Sequence, residues 1–223
     1  MLLLAVDTSG KQGSIALARC GPGDACEVIE TAPVPGGTFS AALVPEIAAL
    51  LAKQGFSKAE IGAFAVVSGP GSFTGLRVGL AAIKALAEVL AKPIAAVSML
   101  EVLAVSGAQG KVAAVLDAGR NEVFVGEYEA TGTAIRMNHE RLLRREQWLE
   151  STVDSLIVTP DKVVAEAARG KGLQVCEVEW PRADEVARLG CRKIAAGETV
   201  SPEALEAKYI GQSDSEMFVK SSS

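Results

Sequence analysis

Three groups of residues in this 223-residue chain have types and spacing that could support chemistry. The first is the run Ser68-Gly69-Pro70-Gly71-Ser72-Phe73-Thr74-Gly75-Leu76-Arg77, which closes a short apolar stretch. Gly tolerates positive φ and Pro fixes its own, so the chain turns sharply there. Backbone N–H groups at the start of a following helix could hold an anion. The G-x-G-x-x-x-G spacing is one residue too long for the dinucleotide fingerprint, however. No Gly-Lys-Ser/Thr follows either, so the loop alone is weak evidence for nucleotide chemistry. The second group is Cys20, Cys26, Cys176 and Cys191 with the sole histidine, His139. No C-x-x-C pair occurs and no His lies beside a Cys, which speaks against a zinc site or a Cys–His nucleophile and makes reduced thiols the expectation. The third is a repeated pattern of apolar strand, Asp, small residues, turn and strand. It occurs at Leu3 to Leu17 around Asp7-Thr8-Ser9-Gly10, and again 110 residues later around Asp117-Ala118-Gly119-Arg120-Asn121.

The elements that must position these residues read as alternating strands and helices. Leu2 to Val6, Ser14 to Ala18 and about Cys26 to Thr31 are expected strands. A helix follows with Leu43, Ile47, Leu50 and Leu51 on one side, and Pro45 means that it starts late or is kinked. Ser57-Lys58-Ala59-Glu60 is a capping box before a short helical turn. Then come strand Ala63 to Ser68, the glycine-rich turn, a long helix capped by Ser72 or Thr74 and stopped near Ala91 by Lys92-Pro93, and strand Ile94 to Val97. A second capping box, Ser98 to Glu101, opens a helix that fades at Ser106-Gly107. Beyond it the expectation is strands at Val112 to Leu116, Glu122 to Tyr128, near Leu156 to Val158 and Leu173 to Val178, helices at Asp161 to Arg169 and Asp184 to Ala196, and a frayed tail at Lys220 to Ser223.

The long helix has two apolar stripes, Leu76, Leu80, Ile83, Ala87 and Leu90 beside Val78, Ala82, Leu86 and Val89. Its polar strip is only Arg77, Lys84 and Glu88. A helix apolar nearly all round must be covered on more than one side. One reading makes it a central core helix. The other packs one side on its own sheet and the other on a partner, with Gly75, Gly79 and Ala82 as a thin line for close approach.

Composition limits the function classes. Hydrophobic residues make up 49% of the chain but aromatics only 4%, so the core is built from Ala, Val, Leu and Ile. A net charge of −5 argues against a free-standing nucleic-acid binder. Up to Gly107 there are 7 Lys/Arg and 8 Asp/Glu, against 15 and 19 in the remaining 116 residues. The charge-poor first half suits a lobe with much of its surface covered. Two lobes are expected, at 1–107 and 108–223. The apolar start, Met1 to Val6, has no basic flank and is too short for a signal peptide or a membrane span, so a cytoplasmic protein without a membrane role is expected.

Ala5-Val6-Asp7-Thr8-Ser9 together with Ser68 to Gly79 closely resembles the TsaB (YeaZ) family, and the resemblance extends to Asp117-Ala118-Gly119-Arg120 and weakly to Tyr209-Ile210. It implies an α/β, two-lobed fold of the actin, hexokinase and Hsp70 (ASKHA) type, with mixed sheets flanked by helices. It also implies a non-catalytic subunit that scaffolds TsaD, the enzyme that transfers threonylcarbamoyl from its adenylate to the adenosine beside the tRNA anticodon. TsaD and the TsaE ATPase are the implied partners, with a homodimer when alone and tRNA engaged only through the complex. The subunit would need no cofactor of its own; ATP or ADP would bind in the complex and the metal in the partner. No catalytic or metal-ligating residue is expected here, because the relative's histidine pair cannot exist with His139 alone. The adenosine loop is also missing, Gly170-Lys171-Gly172 being the nearest candidate, and Thr38 stands near where many relatives carry a His.

The interface implied for TsaD comprises Leu43, Ile47, Phe73, Gly75, Arg77, Gly79, Ala82, Lys84 and Leu86. Asp7, Thr8, Ser9, Asp117 and Gly119 would be vestigial phosphate loops. In active kinases of the superfamily such carboxylates handle Mg and water around phosphate; here they are expected to accept N–H groups in their own turns. A small-molecule kinase of the same superfamily and a glycoprotease are the alternative readings.

Overall fold

The computed structural model describes residues 1–23, 25–107, 110–131, 134–152 and 154–211. The expected tail at 220–223 lies outside them. Among the described residues, ten strands and six α-helices follow in an order that repeats itself. The first round is β1 (Leu2–Asp7), β2 (Gly13–Cys20), β3 (Cys26–Val34), α1 (Phe39–Lys53), β4 (Ile61–Gly69), α2 (Phe73–Leu90), β5 (Ile94–Ser98) and α3 (Met99–Gly107). The second is β6 (Gly110–Gly119), β7 (Glu122–Thr131), β8 (Ala134–Arg144), α4 (Arg145–Ser151), β9 (Leu156–Thr159), α5 (Lys162–Gly170), β10 (Val175–Glu177) and α6 (Ala183–Ala195). Each round builds one five-stranded sheet, in the order β3-β2-β1-β4-β5 and β8-β7-β6-β9-β10. In both, the first strand runs antiparallel to its hairpin neighbour and parallel to the strand after the first helix.

The buried strands lie where the sequence pattern puts them because they are short apolar runs bounded by turn residues. Two elements were missed, β8 and α4. β8 is an edge strand in which Arg136 and the polar run from Asn138 to Arg141 break up the apolar residues, so no alternation marks it in the sequence. α4 has seven residues and is anchored by one buried side chain, Trp148. α1 does not start late. It runs from Phe39 through Pro45, whose missing N–H forfeits one helical hydrogen bond.

The compact units differ from the expected lobes. One comprises Met1–Met99 and Pro181–Lys208, and the other Leu100–Trp180 with the segment from Tyr209. Each round therefore gives its final helix to the other unit: α3 lies largely in the second, and α6 returns to the first. In the first unit every residue of β1 is buried. Successive side chains point to opposite faces, so both faces of this sheet must be covered. α6 covers one so closely that a Cβ on Gly190 would lie 2.4 Å from the Ala65 Cβ. α1 and α2 cover the other. The second unit has its own core of Ala113, Val115, Val123, Val125, Trp148, Ile157, Val164 and Ala168.

The return of α6 also corrects the expectation for the thiols. Cys20 on β2 and Cys191 on α6, 171 residues apart, form a disulfide, while Cys26 and Cys176 are free. Spacing along the chain carried no sign of this pair, because only the packing of α6 on the first sheet brings it together.

Candidate functional site

The glycine-rich loop begins where β4 ends. Ser72 caps α2, its hydroxyl accepting from the Gly75 N–H at 3.3 Å, and its own N–H donates to the Ser9 carbonyl at 2.7 Å. The Thr8 hydroxyl donates to the Gly75 carbonyl at 2.7 Å. The glycines allow this approach: a Cβ on Gly71 would lie 2.6 Å from the Ser9 Cβ, on Gly75 2.0 Å from the Thr8 carbonyl oxygen, and on Gly79 2.3 Å from Thr8 Oγ1. The loop is thus seated directly on the turn after β1. In that turn, Asp7 Oδ1 accepts from the Ser9 N–H at 2.8 Å and the Ser9 hydroxyl at 2.6 Å, and Asp7, Thr8 and Ser9 are all buried. The carboxylate braces its own turn.

This corrects the assignment of Gly75 and Gly79 to a partner surface. Both are buried and face the Asp7 turn of their own unit. The thin line along α2 admits a strand-end turn of the same chain, which helical spacing cannot distinguish from the approach of another helix.

The corresponding turn in the second unit is more open. Asp117 is exposed; its N–H donates to Asp161 Oδ2 at 2.8 Å. Its Oδ1 accepts from the Gly119 N–H at 3.3 Å and Arg145 Nη2 at 3.1 Å. Gly170 and Gly172 shape the turn that ends α5. His139 pairs with Glu127, Nε2 to Oε2 at 3.2 Å, on a partly exposed surface. Among the described residues no three His, Cys, Asp or Glu side chains converge to hold a metal.

The remaining feature of the first unit is an apolar groove between α1 and α2. Phe39, Leu43, Val44, Phe73, Val78 and Ala82 line it, with Ser40, Thr74, Arg77 and Ala81. Phe73 and Val44 are 54% and 55% exposed, and the Arg77 guanidinium lies 3.6 Å over the Phe73 ring. The two stripes of α2 separate here. Leu76, Leu80, Ile83 and Ala87 are buried, whereas Val78, Ala82 and Leu86 are half-buried and Val89 is 78% exposed. A contiguous exposed apolar patch of this kind marks an interaction surface more often than a chance scatter.

Of the expected interface residues, Leu43, Phe73, Arg77 and Ala82 therefore meet in the groove. Ile47 is buried in the core, and Leu86 lies farther along the open stripe. Lys84 is exposed, but its ammonium donates to the Glu203 carbonyl of the same unit at 3.3 Å. Thr38 precedes α1, its hydroxyl donating to the Pro35 carbonyl at 3.2 Å. The sequence reading missed Phe39 and Val44. The available signal was an aromatic at the helix start and a valine off the core stripe of α1.

Two identically ordered five-stranded mixed sheets, each with its own helices, define an actin/hexokinase/Hsp70-type fold. The family model described as TsaD, tRNA N6-adenosine threonylcarbamoyltransferase, matches residues 36–199. The tRNA threonylcarbamoyladenosine biosynthesis protein TsaB of Bacillus subtilis is 30% identical over 209 residues, 88% of this chain and 90% of that protein. The Escherichia coli TsaB is 29% identical over 94% of each. The solved YeaZ of Pseudomonas aeruginosa superposes with a TM-score of 0.77 at 26% identity, covering 93% of this chain and all of that one. The chain belongs to the TsaB (YeaZ) family.

Proposed function

We propose that this chain serves tRNA threonylcarbamoyladenosine formation as a non-catalytic subunit. Its α1–α2 groove docks the TsaD-type subunit that transfers threonylcarbamoyl to adenosine. The observation that carries this reading is the open apolar stripe of Val78 and Ala82, flanked by exposed Phe73 and Val44, on a helix whose other stripe is already buried. Burying a Phe or Val side chain is worth about 1.5–3 kcal/mol, so a few such residues supply the centre of a specific interface. In this reading Arg77, which lies over the Phe73 ring, meets an acidic residue of the partner at the rim.

The buried Asp7 turn, whose carboxylate accepts from the Ser9 N–H and hydroxyl, supports a role without chemistry in this unit. In this reading the protein acts in the cytoplasm, TsaE and tRNA join through the complex, and any nucleotide or metal serves the assembly and not this subunit alone.

Co-expression with the same organism's TsaD, followed by size-exclusion chromatography, tests it. The two proteins should co-elute. Val78→Glu should keep the chain folded while lowering partner affinity at least tenfold, because it places an unpaired charge in a desolvated contact. Co-elution undiminished by Val78→Glu refutes the groove as the docking site.

A further inference from the structure

The geometry points to a thiol–disulfide relay in the first unit: the free thiol of Cys26 can take Cys20 away from Cys191 and so release helix α6 from its covalent tie to β2. Three cysteines converge at one corner of the sheet. Cys20 ends β2 and Cys26 opens β3, and the two are register partners across the hairpin. The Cys20 N–H donates to the Met1 carbonyl at 2.9 Å, and the Met1 amine donates to the Cys20 carbonyl at 2.9 Å. Both backbone groups of Cys20 are therefore turned toward β1. This makes Cys20–Cys26 the non-hydrogen-bonded kind of antiparallel pair, with Cα atoms about 4.5 Å apart and side chains on one face. That spacing lies inside the range a disulfide spans.

The face is the one α6 covers, since Cys20 already carries Cys191 of that helix. Burial raises the pKa of the Cys26 thiol, while the cations Arg188 and Arg192 of α6 act in the opposite direction. Arg188 lies close by, its Nη1 donating to the Cys26 carbonyl at 3.4 Å.

The exchange needs no added oxidant. The Cys26 thiolate attacks Cys20 Sγ, the Cys20–Cys26 bond forms, and the Cys20–Cys191 bond breaks. The electron pair leaves on Cys191, which takes up the proton that Cys26 gave to water. One disulfide and one thiol are present before and after. The consequence is topological. A link closing 171 residues is replaced by one closing six, so most of the constraint on the unfolded chain is lost and α6 is held by packing alone. In a reducing compartment, where lasting disulfides are uncommon, such exchangeable pairs are typically redox-sensing. The relay does not depend on the α1–α2 groove.

The test uses the full chain in a glutathione redox buffer, with acid quenching, alkylation and peptide mapping. Cleavage before Asp24 separates Cys20 from Cys26, and trypsin isolates Cys191. The wild type should yield both Cys20–Cys191 and Cys20–Cys26, with Cys176 alkylated throughout. Cys191→Ser should form Cys20–Cys26 quantitatively, and oxidised Cys26→Ser should hold only Cys20–Cys191. The oxidised Cys191→Ser protein should melt roughly 5–10 °C below oxidised Cys26→Ser. A wild type that yields Cys20–Cys191 alone, or no disulfide, overturns the relay. So does a folded Cys191→Ser protein whose Cys20 and Cys26 both stay alkylated, and the wild-type map decides alone if that variant does not fold.

Discussion

Replacing Gly75 by Ala tests the contact that shapes the first unit. On helix propensity alone the change should stabilise α2 by about 1 kcal/mol. In place, the new Cβ would sit 2.0 Å from the Thr8 carbonyl oxygen and 3.4 Å from the Phe39 ring. The carbonyl is backbone and cannot rotate away, so the helix start and the Asp7 turn must separate by more than 1 Å. Overpacking of this kind costs typically 1–3 kcal/mol and sometimes more. Separation also strains the Thr8–Gly75 hydrogen bond, worth about 1 kcal/mol, and exposes part of a buried polar turn. The net expectation is a loss of about 2–4 kcal/mol, read by urea unfolding of the isolated chain.

Gly79→Ala meets a side chain instead, Thr8 Oγ1 at 2.3 Å. Removing that side chain with Thr8→Ala should therefore recover part of the Gly79→Ala cost, but of the Gly75→Ala cost only the share carried by the Thr8–Gly75 hydrogen bond, leaving the clash with the Thr8 carbonyl. Gly170→Ala, with nothing within 4 Å of the added carbon, is the control and should be neutral or slightly stabilising. A Gly75→Ala protein as stable as the wild type would refute the placement of α2 on the Asp7 turn. By the same geometry Gly79→Arg should unfold the isolated chain; the partner-facing reading of Gly79 required it to stay folded.

Other outcomes follow from the same contacts. Asp7→Asn keeps an acceptor for the Ser9 N–H but loses its charge; it should cost about 1 kcal/mol and leave tRNA modification by the reconstituted complex intact. Lost modification at an unchanged melting temperature would give Asp7 a direct role. Reducing the Cys20–Cys191 bond should lower stability by about 2–4 kcal/mol in denaturant titrations with and without dithiothreitol, and coincident curves would exclude the bond as a stabilising link. With a net charge of −5, the protein alone should show no sub-micromolar tRNA binding at physiological salt in a filter-binding assay.

Much of the fold was legible because it is written locally. Leu2 to Val6, Ala63 to Ser68 and Val112 to Leu116 are short apolar runs followed by turn residues, Ser72 and Ser57 are helix-start side chains, and Lys92-Pro93 stops α2. The Asp7 and Asp117 repeat also foretold the duplication, since each round needs the same strand-turn-strand grammar to build the same sheet.

The apolar stripes of α2 set out which positions needed cover, but not what covers them. Helical spacing places Gly75, Gly79 and Ala82 in related positions, yet the Asp7 turn fills the space before the two glycines while Ala82 opens into the groove. Nor could the sequence foretell that α6 returns to the first sheet and joins Cys191 to Cys20. A helix's own residues determine its apolar face, whereas its partner is chosen by loop closure and by which surface remains uncovered. Those are properties of the whole chain, and only the tertiary structure decides them.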